Sequence, residues 1–331
     1  MLGIRDPSQV AAARREAMAL AGALGFDETA TGKVAIVVTE VATNLLKHAG
    51  GGEVVLRPVH ASATSGIDVL GLDRGRGIPN FARALEDGFS TAGSAGTGLG
   101  AVRRLAQLFE VHSAERSGTA LLARIWPERP PATAGRCVIE SAGVTRPAPG
   151  EDVCGDAWSV QHRAGVTTLL VVDGLGHGVA AADAASAAMA AFNAHSPAPP
   201  AELLDSIHGA LRATRGAAAA VAEVDPARDL VRYAGVGNIS GVVLNAAGAR
   251  HLVSHNGIVG HTVRKIDEFT YPWTPDALLV LHSDGLASHW RLDSYPGLTV
   301  RHPGLVAGVL YRDFTRGRDD VCVVVARERP A

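Results

Sequence analysis

Acidic residues in the second half of this chain recur at the ends of apolar, strand-like runs, and this placement constrains the fold strongly. Asp156, Asp173 and Asp284 lie at or near the end of such a run, whereas Asp319 and Asp320 open one. Short side chains placed in this way converge when packed sheets end at a common edge. Carboxylates bind hard divalent cations, and two such ions about 3.5–4 Å apart can activate a bridging water against a phosphate. The pattern therefore predicts packed sheets with a two-metal site at one end.

Length and charge narrow the class of protein. The chain has 331 residues, of which 47% are hydrophobic, so it has room for two domains with separate cores. The formal net charge is −2 and no long basic run occurs, which argues against nucleic acid and an anionic membrane as partners. The 3 cysteines lack metal-binding spacing, and the first residues lack the apolar core of a signal peptide. We expect a soluble, cytoplasmic protein with reduced thiols.

A segment rich in proline, alanine and glycine divides the chain. The stretch from Pro127 to Gly135 has no hydrophobic periodicity and is typical of an extended linker. We therefore predict a first domain at residues 1–127, a linker at 128–135 and a second domain at 136–331. No internal repeat relates the two halves.

Local patterns predict helices and strands in both halves. Asp6 and Pro7 are typical of a helix start, and Gly25 is typical of its end. The other elements predicted in the first half are a helix at 29–47, strands at 53–59 and 66–72, a helix at 99–108 and a hairpin ending at Trp126. In the second half we predict strands at 137–144, 157–163, 166–172, within 217–281 and at 321–326, with helices at 179–194, 201–214 and 304–314. Strands and helices in groups indicate an α+β protein.

Polar residues on one face of the second predicted helix indicate phosphate chemistry. Glu40 and Asn44 lie four residues apart, and Lys47 and His48 follow on the same face. An asparagine offers Mg²⁺ a neutral oxygen, and a nearby glutamate can take a proton from an attacking hydroxyl group.

Two glycine-rich segments follow this helix at positions suited to a nucleotide. Asp73 ends a predicted strand beside Gly75 and Gly77, so its carboxylate can accept a hydrogen bond from the exocyclic amine of adenine. A second segment opens the next helix, whose free N–H groups suit a triphosphate. The residues of that segment are Gly96, Thr97, Gly98, Leu99 and Gly100.

The ordered combination of these three motifs resembles the Bergerat-type (GHKL) ATPases, with their N, G1 and G2 boxes. The resemblance implies ATP as a cofactor, with Asn44 holding Mg²⁺, Glu40 activating an acceptor serine and Asp73 reading adenine. The second-box residues Thr97 and Leu99 would also contact the nucleotide. The glycines that would shape the lid and its backbone contacts are Gly75, Gly77, Gly98 and Gly100.

Within that superfamily, residues 5–126 are similar to the stressosome switch kinases of the RsbT type. The similarity includes residues 85–93, which look like their phosphate lid, together with 102–105 and 118–120. Anti-sigma serine kinases are also similar, but some carry arginine just before the second glycine box, where this chain has Ala95. These anti-sigma relatives are often dimers, so a homodimer is a further expectation from the resemblance.

The second half resembles the SpoIIE-type branch of the metal-dependent PPM phosphatases, from about residue 136 to 328. The resemblance lies in Asp-Gly-Leu-Gly-His-Gly at residues 173–178, Ser-Asp-Gly at 283–285 and the turn at 235–238. It implies a bridging ligand at Asp173 assisted by the Gly174 carbonyl, and Mn²⁺ or Mg²⁺ as cofactor. The other implied ligands, with waters completing the coordination, are Asp156, Asp284 and Asp319.

Two residues near these motifs, Asp320 and His177, keep more than one interpretation. Asp320 is either a further metal ligand or a turn residue, and alignment with the family favours Asp319. His177 is either a proton donor to the leaving serine oxygen or a backbone partner in a glycine turn. Cys154 is interpreted as a small buried residue because no histidine partner is evident for it. The short phosphatase half looks like the RsbX type.

The resemblances together imply a Bergerat α/β sandwich followed by an αββα sandwich, in a bifunctional protein. The first domain would phosphorylate Ser or Thr of STAS-domain proteins in a partner-switching pathway, which acts on a downstream regulator or sigma factor. The second domain would remove the same kind of phosphate. In one alternative the first domain is an ATP-loaded module that sequesters a sigma factor or STAS protein. In another it only senses ATP for an active phosphatase.

Overall fold

The computed structural model describes residues 1–61, 64–78, 98–128, 139–195 and 198–329. The chain forms two compact units, Met1–Ala134 and Gly135–Ala331. The linker expected at 128–135 lies outside the described residues except for Glu128. No helix in the described ranges is long and apolar enough to cross a membrane.

The described residues of the first unit form five strands and three helices. In chain order these are β1 (Leu2–Ile4), α1 (Pro7–Ala23), α2 (Glu28–Ala49), β2 (Gly52–Ala61), β3 (Thr64–Asp73), α3 (Gly98–Leu105), β4 (Leu108–Ser113) and β5 (Thr119–Ile125). The strands form one antiparallel sheet of order β1-β2-β3-β5-β4. Alternate residues of the central strands, among them Val69 and Ala123, share one core with Val34 and Val38 of α2. The helices therefore cover one face of the sheet.

The predicted start of α1 is confirmed in detail. The Asp6 carboxylate accepts hydrogen bonds from the backbone N–H groups of Ser8 and Gln9, and the Gln9 side chain returns a bond to the Asp6 N–H. This reciprocal arrangement is a capping box, with Pro7 in the first helical turn. The adjoining helix α2 ends at Ala49 and is capped by Gly50, which has the left-handed conformation (φ 70°) common at helix ends.

In the part of the second unit that the structure describes, there are two five-stranded sheets and three α-helices. Its elements are β6 (Ile139–Arg146), β7 (Asp156–Arg163), β8 (Val166–Gly174), α4 (Val179–Ala194), α5 (Pro200–Ala210), β9 (Ala217–Asp225), β10 (Leu230–Val236), β11 (Ser240–Asn245), β12 (Gly248–His251), β13 (Phe269–Pro272), β14 (Leu278–His282), α6 (Pro303–Phe314) and β15 (Val321–Glu328). The sheet orders are β13-β10-β9-β8-β7 and β12-β11-β14-β15-β6.

Four layers follow from the packing of these elements. One core lies between the two sheets and includes Leu169 of β8 and Val324 of β15. A second core lies between the first of those sheets and the helices α4 and α5. Helix α6 packs on β6 and β15, at the outer face of the other sheet. The α+β class and the αββα sandwich predicted from the sequence are confirmed.

Two predicted helix ends are wrong by a few residues. The helix expected to reach Leu108 ends at Leu105, because Leu108 already pairs with Arg124 in the sheet. The helix expected to reach Thr214 ends at Ala210 and continues only as a 3₁₀ turn, Leu211–Ala213. In the first case the helix end is set by the pairing of Leu108 with Arg124, sixteen residues away. Local hydrophobic periodicity does not predict this end, because it contains no information about strand pairing.

Candidate functional site

The first unit brings the α2 motif and the start of α3 into contact. Glu40 and Asn44 are both half-buried on α2. A Cβ atom placed on Gly98, the first residue of α3, would lie 2.8 Å from Oε2 of Glu40 and 3.7 Å from Oδ1 of Asn44. Because the first distance is shorter than real Cβ contacts allow, position 98 must stay without a side chain while Glu40 keeps this position. The N box and the second glycine box therefore meet in space.

The Asn44 carboxamide has an unused polar group beside this contact. Its Nδ2 atom is buried and has no hydrogen-bond partner among the described residues. A buried polar group without a partner costs free energy, so such groups in folded proteins are normally paired with protein, water or ligand. Since the oxygen and nitrogen of a carboxamide exchange by a flip, Asn44 can present either atom to a ligand. The residues here fit a nucleotide with its Mg²⁺ ion.

Asp73 organises the turn after β3. Its Oδ1 atom accepts hydrogen bonds from the backbone N–H groups of Gly75 (2.8 Å) and Thr119 (3.1 Å). The glycines of this turn pack tightly: a Cβ on Gly75 would lie 2.7 Å from the Cβ of Ala49, and Gly77 has a φ of 73°. The same side chain that is predicted to read adenine therefore also holds the turn in place.

The rest of the second glycine box is only partly described. Leu99 is half-buried and Gly100 is buried, in the part of α3 that packs on α2. Thr97, Ala95 and the segment 85–93, which was predicted to form the phosphate lid, lie outside the described residues. Lys47 and His48 are exposed in the last turn of α2.

The acidic cluster of the second unit is formed by strand ends from both sheets. Asp156, which was expected near the end of an apolar run, instead begins β7, where it is directly opposite Asp173, the second-last residue of β8. In the other sheet, β14 ends just before Asp284, and β15 begins just after Asp319 and Asp320. Antiparallel neighbours place the end of one strand beside the start of the next, so each sheet contributes two of these sites.

Burial and mutual repulsion change the acidity of this cluster. Burial, followed by the charge of Asp173, raises the pKa of Asp156 to about 8. Burial, followed by the charges of Asp284 and Asp319, raises the pKa of Asp173 to about 7. Oδ2 of Asp156 is buried and has no hydrogen-bond partner in the described part of the chain. Carboxylates held together in this way are suited to a cation, which offsets their charges.

The protein ligands of this cluster suit a metal ion that keeps several of its bound water molecules. Within the described ranges, no three His, Cys, Asp or Glu side chains are close enough to enclose one metal ion by themselves. Mg²⁺ commonly keeps several waters and is bound through only one or two carboxylates. Asp156, Asp173, Asp284 and Asp319, with the Gly174 carbonyl, stay the predicted ligands of Mg²⁺ or Mn²⁺.

Asp319 and Asp320 have different surroundings. Asp320 is buried, and its two carboxylate oxygens accept hydrogen bonds from the backbone N–H groups of Ala148 (2.7 Å) and Gly155 (3.0 Å). Asp319 is exposed, and its Oδ1 accepts one bond, from the Asp320 N–H (2.9 Å). Asp320 therefore fixes the loop that leads to Asp156, whereas Asp319 keeps an oxygen for a ligand.

Two residues that hold the carboxylates in place were not singled out from the sequence. The Asn238 amide donates a hydrogen bond to Asp284 (2.8 Å) and also bonds to Asp173. Ser283 bonds to Asp156 with its side chain, while its oxygen accepts the N–H of Cys322 (2.9 Å). The turn at 235–238 was the available signal for Asn238, but its position between two carboxylates depends on the packing of β10, β11 and β14.

The glycine turn after β8 carries a histidine–carboxylate pair. Nδ1 of His177 lies 2.6 Å from Oε1 of Glu151, a residue of the loop between β6 and β7. The His177 side chain is 60% exposed, so its other ring nitrogen is accessible to solvent. Glu151 had no assigned role in the sequence, because 26 residues separate the two positions. Burial raises the pKa of Cys154 to about 12, so its thiol stays protonated and is a poor nucleophile.

Two known families match separate parts of the chain, one in each compact unit. Residues 5–125 match the histidine kinase-like ATPase domain, and residues 163–329 match the family of stage II sporulation protein E (SpoIIE). The second match includes the positions of Asp173, Asp284 and Asp319 and begins after Asp156.

Three proteins illustrate these similarities. The serine/threonine-protein kinase RsbT of Bacillus subtilis is 33% identical over 117 residues, which are 35% of this chain and 88% of RsbT. A solved structure described as "The bacterial stressosome: a modular system that has been adapted to control secondary messenger signaling" is 33% identical, with a TM-score of 0.54, and covers 57% of this chain and 99% of that chain. RsbX in complex with magnesium is 18% identical, with a TM-score of 0.49, and covers 58% of this chain and 96% of that chain. The chain therefore belongs to the SpoIIE family through its second domain, and its first domain belongs to the histidine kinase-like ATPase family together with RsbT.

Proposed function

We propose that this protein is a bifunctional regulator of a partner-switching, stressosome-like pathway. Its first domain phosphorylates serine or threonine on STAS-domain proteins with ATP, and its second domain removes such phosphates with a divalent metal. The observation that carries the proposal is that both sets of chemical groups are intact in one chain: Glu40 and Asn44 meet Gly98 in one unit, and the acidic cluster around Asp173 forms in the other. The division into two units supports domains at 1–127 and 136–331 joined by residues 128–135.

In the kinase reaction, the residues of the first domain act mainly by position and charge. Asn44 would hold Mg²⁺, which neutralises phosphate charge when bound. Asp73 would bind the adenine amine, with Gly75, Gly77 and Gly100 and the start of α3 around the nucleotide. The serine oxygen of the substrate forms a bond to the γ-phosphorus as the bond to the β,γ-bridging oxygen breaks. Glu40 takes the serine proton, and ADP leaves.

In the phosphatase reaction, the second domain holds cations and orders the phosphate ester. Asp156, Asp173, Asp284 and Asp319 would hold Mn²⁺ or Mg²⁺, which activate water and neutralise phosphate charge when bound. Asn238 orients two of these carboxylates, and Ser283 orients Asp156. Water attacks phosphorus while the bond to the serine oxygen breaks, and His177, held by Glu151, donates the proton that the leaving oxygen takes up.

The substrate class is proposed from the relatives. RsbT is a serine/threonine kinase, and the structure that matches 57% of this chain is described in connection with the bacterial stressosome. STAS-domain proteins of such a pathway, which controls a downstream regulator or sigma factor in the cytoplasm, are therefore the acceptors to test first. A homodimer is part of the same proposal.

The deciding experiment is transfer of label from γ-labelled ATP to a STAS-domain protein encoded beside this one. Wild type is compared with Glu40→Ala and Asp173→Asn, with Mg²⁺ and then with Mn²⁺. We expect label with wild type, no label with Glu40→Ala, and label that persists longer with Asp173→Asn because removal of phosphate is impaired. If no label transfers while ATP tightens partner binding, the first domain is a sequestering module and the kinase assignment is wrong.

A further inference from the structure

Arg215 lies beside the glycine turn that follows the bridging residue Asp173. In the pairing of β8 with β9, Asp173 is opposite Ala218 and Gly174 is opposite Ala217. The pairing extends beyond the strand, because the Leu175 N–H donates a hydrogen bond to the Gly216 carbonyl (3.0 Å). One step farther along this register, Arg215 is opposite Gly176.

The side chain of Arg215 is directed at this turn. A Cβ atom placed on Gly176 would lie 3.6 Å from Nη1 of Arg215, and outside Gly176 and its two chain neighbours no other described atom would lie within 4 Å of it. Gly176 is three residues beyond Asp173 and next to His177. The guanidinium group is therefore at the border of the metal-binding loop and the histidine proposed to protonate the leaving oxygen.

The backbone around Arg215 is fixed although the side chain is exposed. The Thr214 hydroxyl donates to the Leu211 carbonyl (2.8 Å) and accepts the Gly216 N–H (3.0 Å). The Thr214 carbonyl in turn accepts a hydrogen bond from the His261 ring (3.0 Å). An anchored backbone limits the positions that the Arg215 guanidinium can reach, so less order has to be gained when a ligand binds.

The Arg215 guanidinium has no hydrogen bond or ion pair with any residue that the structure describes. Other arginines of the same unit are paired: Arg232 with Glu223 at 2.5 Å and Arg312 with Asp313 at 2.7 Å. A guanidinium with its five N–H donors free, beside a turn of exposed backbone, is suited to an incoming anion.

The charge balance of the site indicates which anion this is. Two divalent cations, when bound, would offset the four carboxylates of Asp156, Asp173, Asp284 and Asp319, so a phosphate monoester dianion that arrives there would still lack a counter-charge. We propose that Arg215 binds the phosphoryl group of the phosphoserine or phosphothreonine substrate, through two N–H donors to two phosphate oxygens. This inference rests on the proposed phosphatase function of the second domain.

The contact between Arg215 and phosphate is expected to strengthen substrate binding without changing the rate of turnover. Arginine forms paired hydrogen bonds to phosphate, and the non-bridging oxygens keep their negative charge from the bound ester to the product. An interaction that is equally strong in the ground state and the transition state lowers KM and leaves kcat unchanged. Arg215 would therefore also bind inorganic phosphate, the product.

The test compares the full-length wild type with Arg215→Met, Arg215→Lys and the matched control Arg212→Met. Arg212 is an exposed arginine of the neighbouring 3₁₀ turn, and unlike Arg215 it has no atom within 4 Å of the Cβ position of Gly176. With p-nitrophenyl phosphate and Mn²⁺, we expect Arg215→Met to raise KM and the inhibition constant of inorganic phosphate by about tenfold or more. The lysine variant should lie between, because it keeps the charge but not the paired donors. Thermal unfolding of each variant checks that the fold is retained.

Direct titration of inorganic phosphate into each protein separates this inference from the proposed function. If wild type hydrolyses the ester but Arg215→Met has the KM and phosphate affinity of Arg212→Met, the role of Arg215 is wrong and the phosphatase function stands. If wild type does not hydrolyse the ester, the proposed function fails. In that case, weaker phosphate binding by Arg215→Met alone would still support the Arg215 site, and equal binding would overturn it.

Discussion

Asp156 and Asp173 stand directly opposite each other on β7 and β8, where the two strands form an antiparallel pair. Burial is the largest cause of the raised pKa of both carboxyl groups, followed for Asp156 by the charge of Asp173 and for Asp173 by the charges of Asp284 and Asp319. Both pKa values, about 8 and about 7, therefore lie well above the ordinary value of 3.8. Buried carboxyl groups with further acidic neighbours favour positive charge at this site.

Metal stabilisation of the second domain is expected to depend on pH. Because these two pKa values are about 8 and about 7 in the folded protein, the folded state binds more protons than the unfolded state between about pH 4 and pH 8. Raising the pH across this window therefore lowers the free energy of unfolding of the metal-free protein. Metal binding needs the deprotonated carboxylates and becomes tighter across the same window.

The measurement is thermal unfolding with and without Mn²⁺ at about pH 5.5 and about pH 8. We expect the increase in Tm caused by the metal to be larger at the higher pH. Asp173→Asn, which removes one of the two charges, should reduce the increase at both. An equal increase in Tm at both pH values in the wild type would show that metal binding does not displace protons from these carboxyl groups.

Substitutions of Asp319 and Asp320 are expected to have different effects on stability and on metal binding. Asp320→Ala removes the acceptors of two backbone N–H groups, at a cost of about 1–3 kcal/mol for each that stays unsatisfied. Asp319→Ala removes an exposed side chain with one hydrogen bond and should leave the free energy of unfolding nearly unchanged. In metal titrations, Asp319→Ala should nevertheless bind Mn²⁺ more weakly than wild type. The opposite pattern, a stable Asp320→Ala and an unstable Asp319→Ala, would reverse the two assignments.

Adding one methyl group at Gly98 is expected to impair nucleotide binding. In Gly98→Ala the new Cβ would lie 2.8 Å from Oε2 of Glu40, so the glutamate or the start of α3 has to move. We expect weaker ATP binding, measured by titration, and slower phosphate transfer.

The matched control for this change is Gly32→Ala. Gly32 lies in α2, and a Cβ there would meet no atom within 4 Å. Alanine in an open helical position stabilises by up to about 1 kcal/mol relative to glycine. Gly32→Ala should therefore keep wild-type ATP affinity, and an equal loss in both variants would show that the Gly98 contact is not the cause.

The Glu151–His177 pair is expected to matter for poor leaving groups. A serine alkoxide needs a proton as it leaves, and general acids contribute about 10²–10⁴-fold to such steps, whereas p-nitrophenolate leaves without help. His177→Gln should therefore lower kcat for a phosphoserine peptide much more than kcat for p-nitrophenyl phosphate. Glu151→Ala should show a smaller effect of the same kind, because it removes only the partner that orients the ring. Equal losses with both substrates would mean that His177 is not the proton donor.

Much of the architecture is readable from the sequence because the signals are local. The helix start at Asp6, the helix that carries Glu40 and Asn44, and Val179–Ala194 were all expected from residues close in the chain, and the structure contains these elements. The acidic positions were also evident, since each one follows or opens an apolar run and has a neighbouring glycine or aspartate.

Other features depend on residues that are far apart in the chain. The α3–β4 boundary is set by the pairing of Leu108 with Arg124, and Glu151 meets His177 across 26 residues. Asn238 bonds to Asp284 across 46 residues, and the different surroundings of Asp320 arise from Ala148 and Gly155, more than 160 residues away.

The sequence by itself determined which residues are the candidates for the chemistry, because residue type, helical period and strand ends are properties of short segments. Only the tertiary structure decided which of them orient others, and it alone placed Arg215 beside Gly176. The physical reason is that hydrogen bonds and charge interactions act over a few ångströms in space, whatever the separation along the chain.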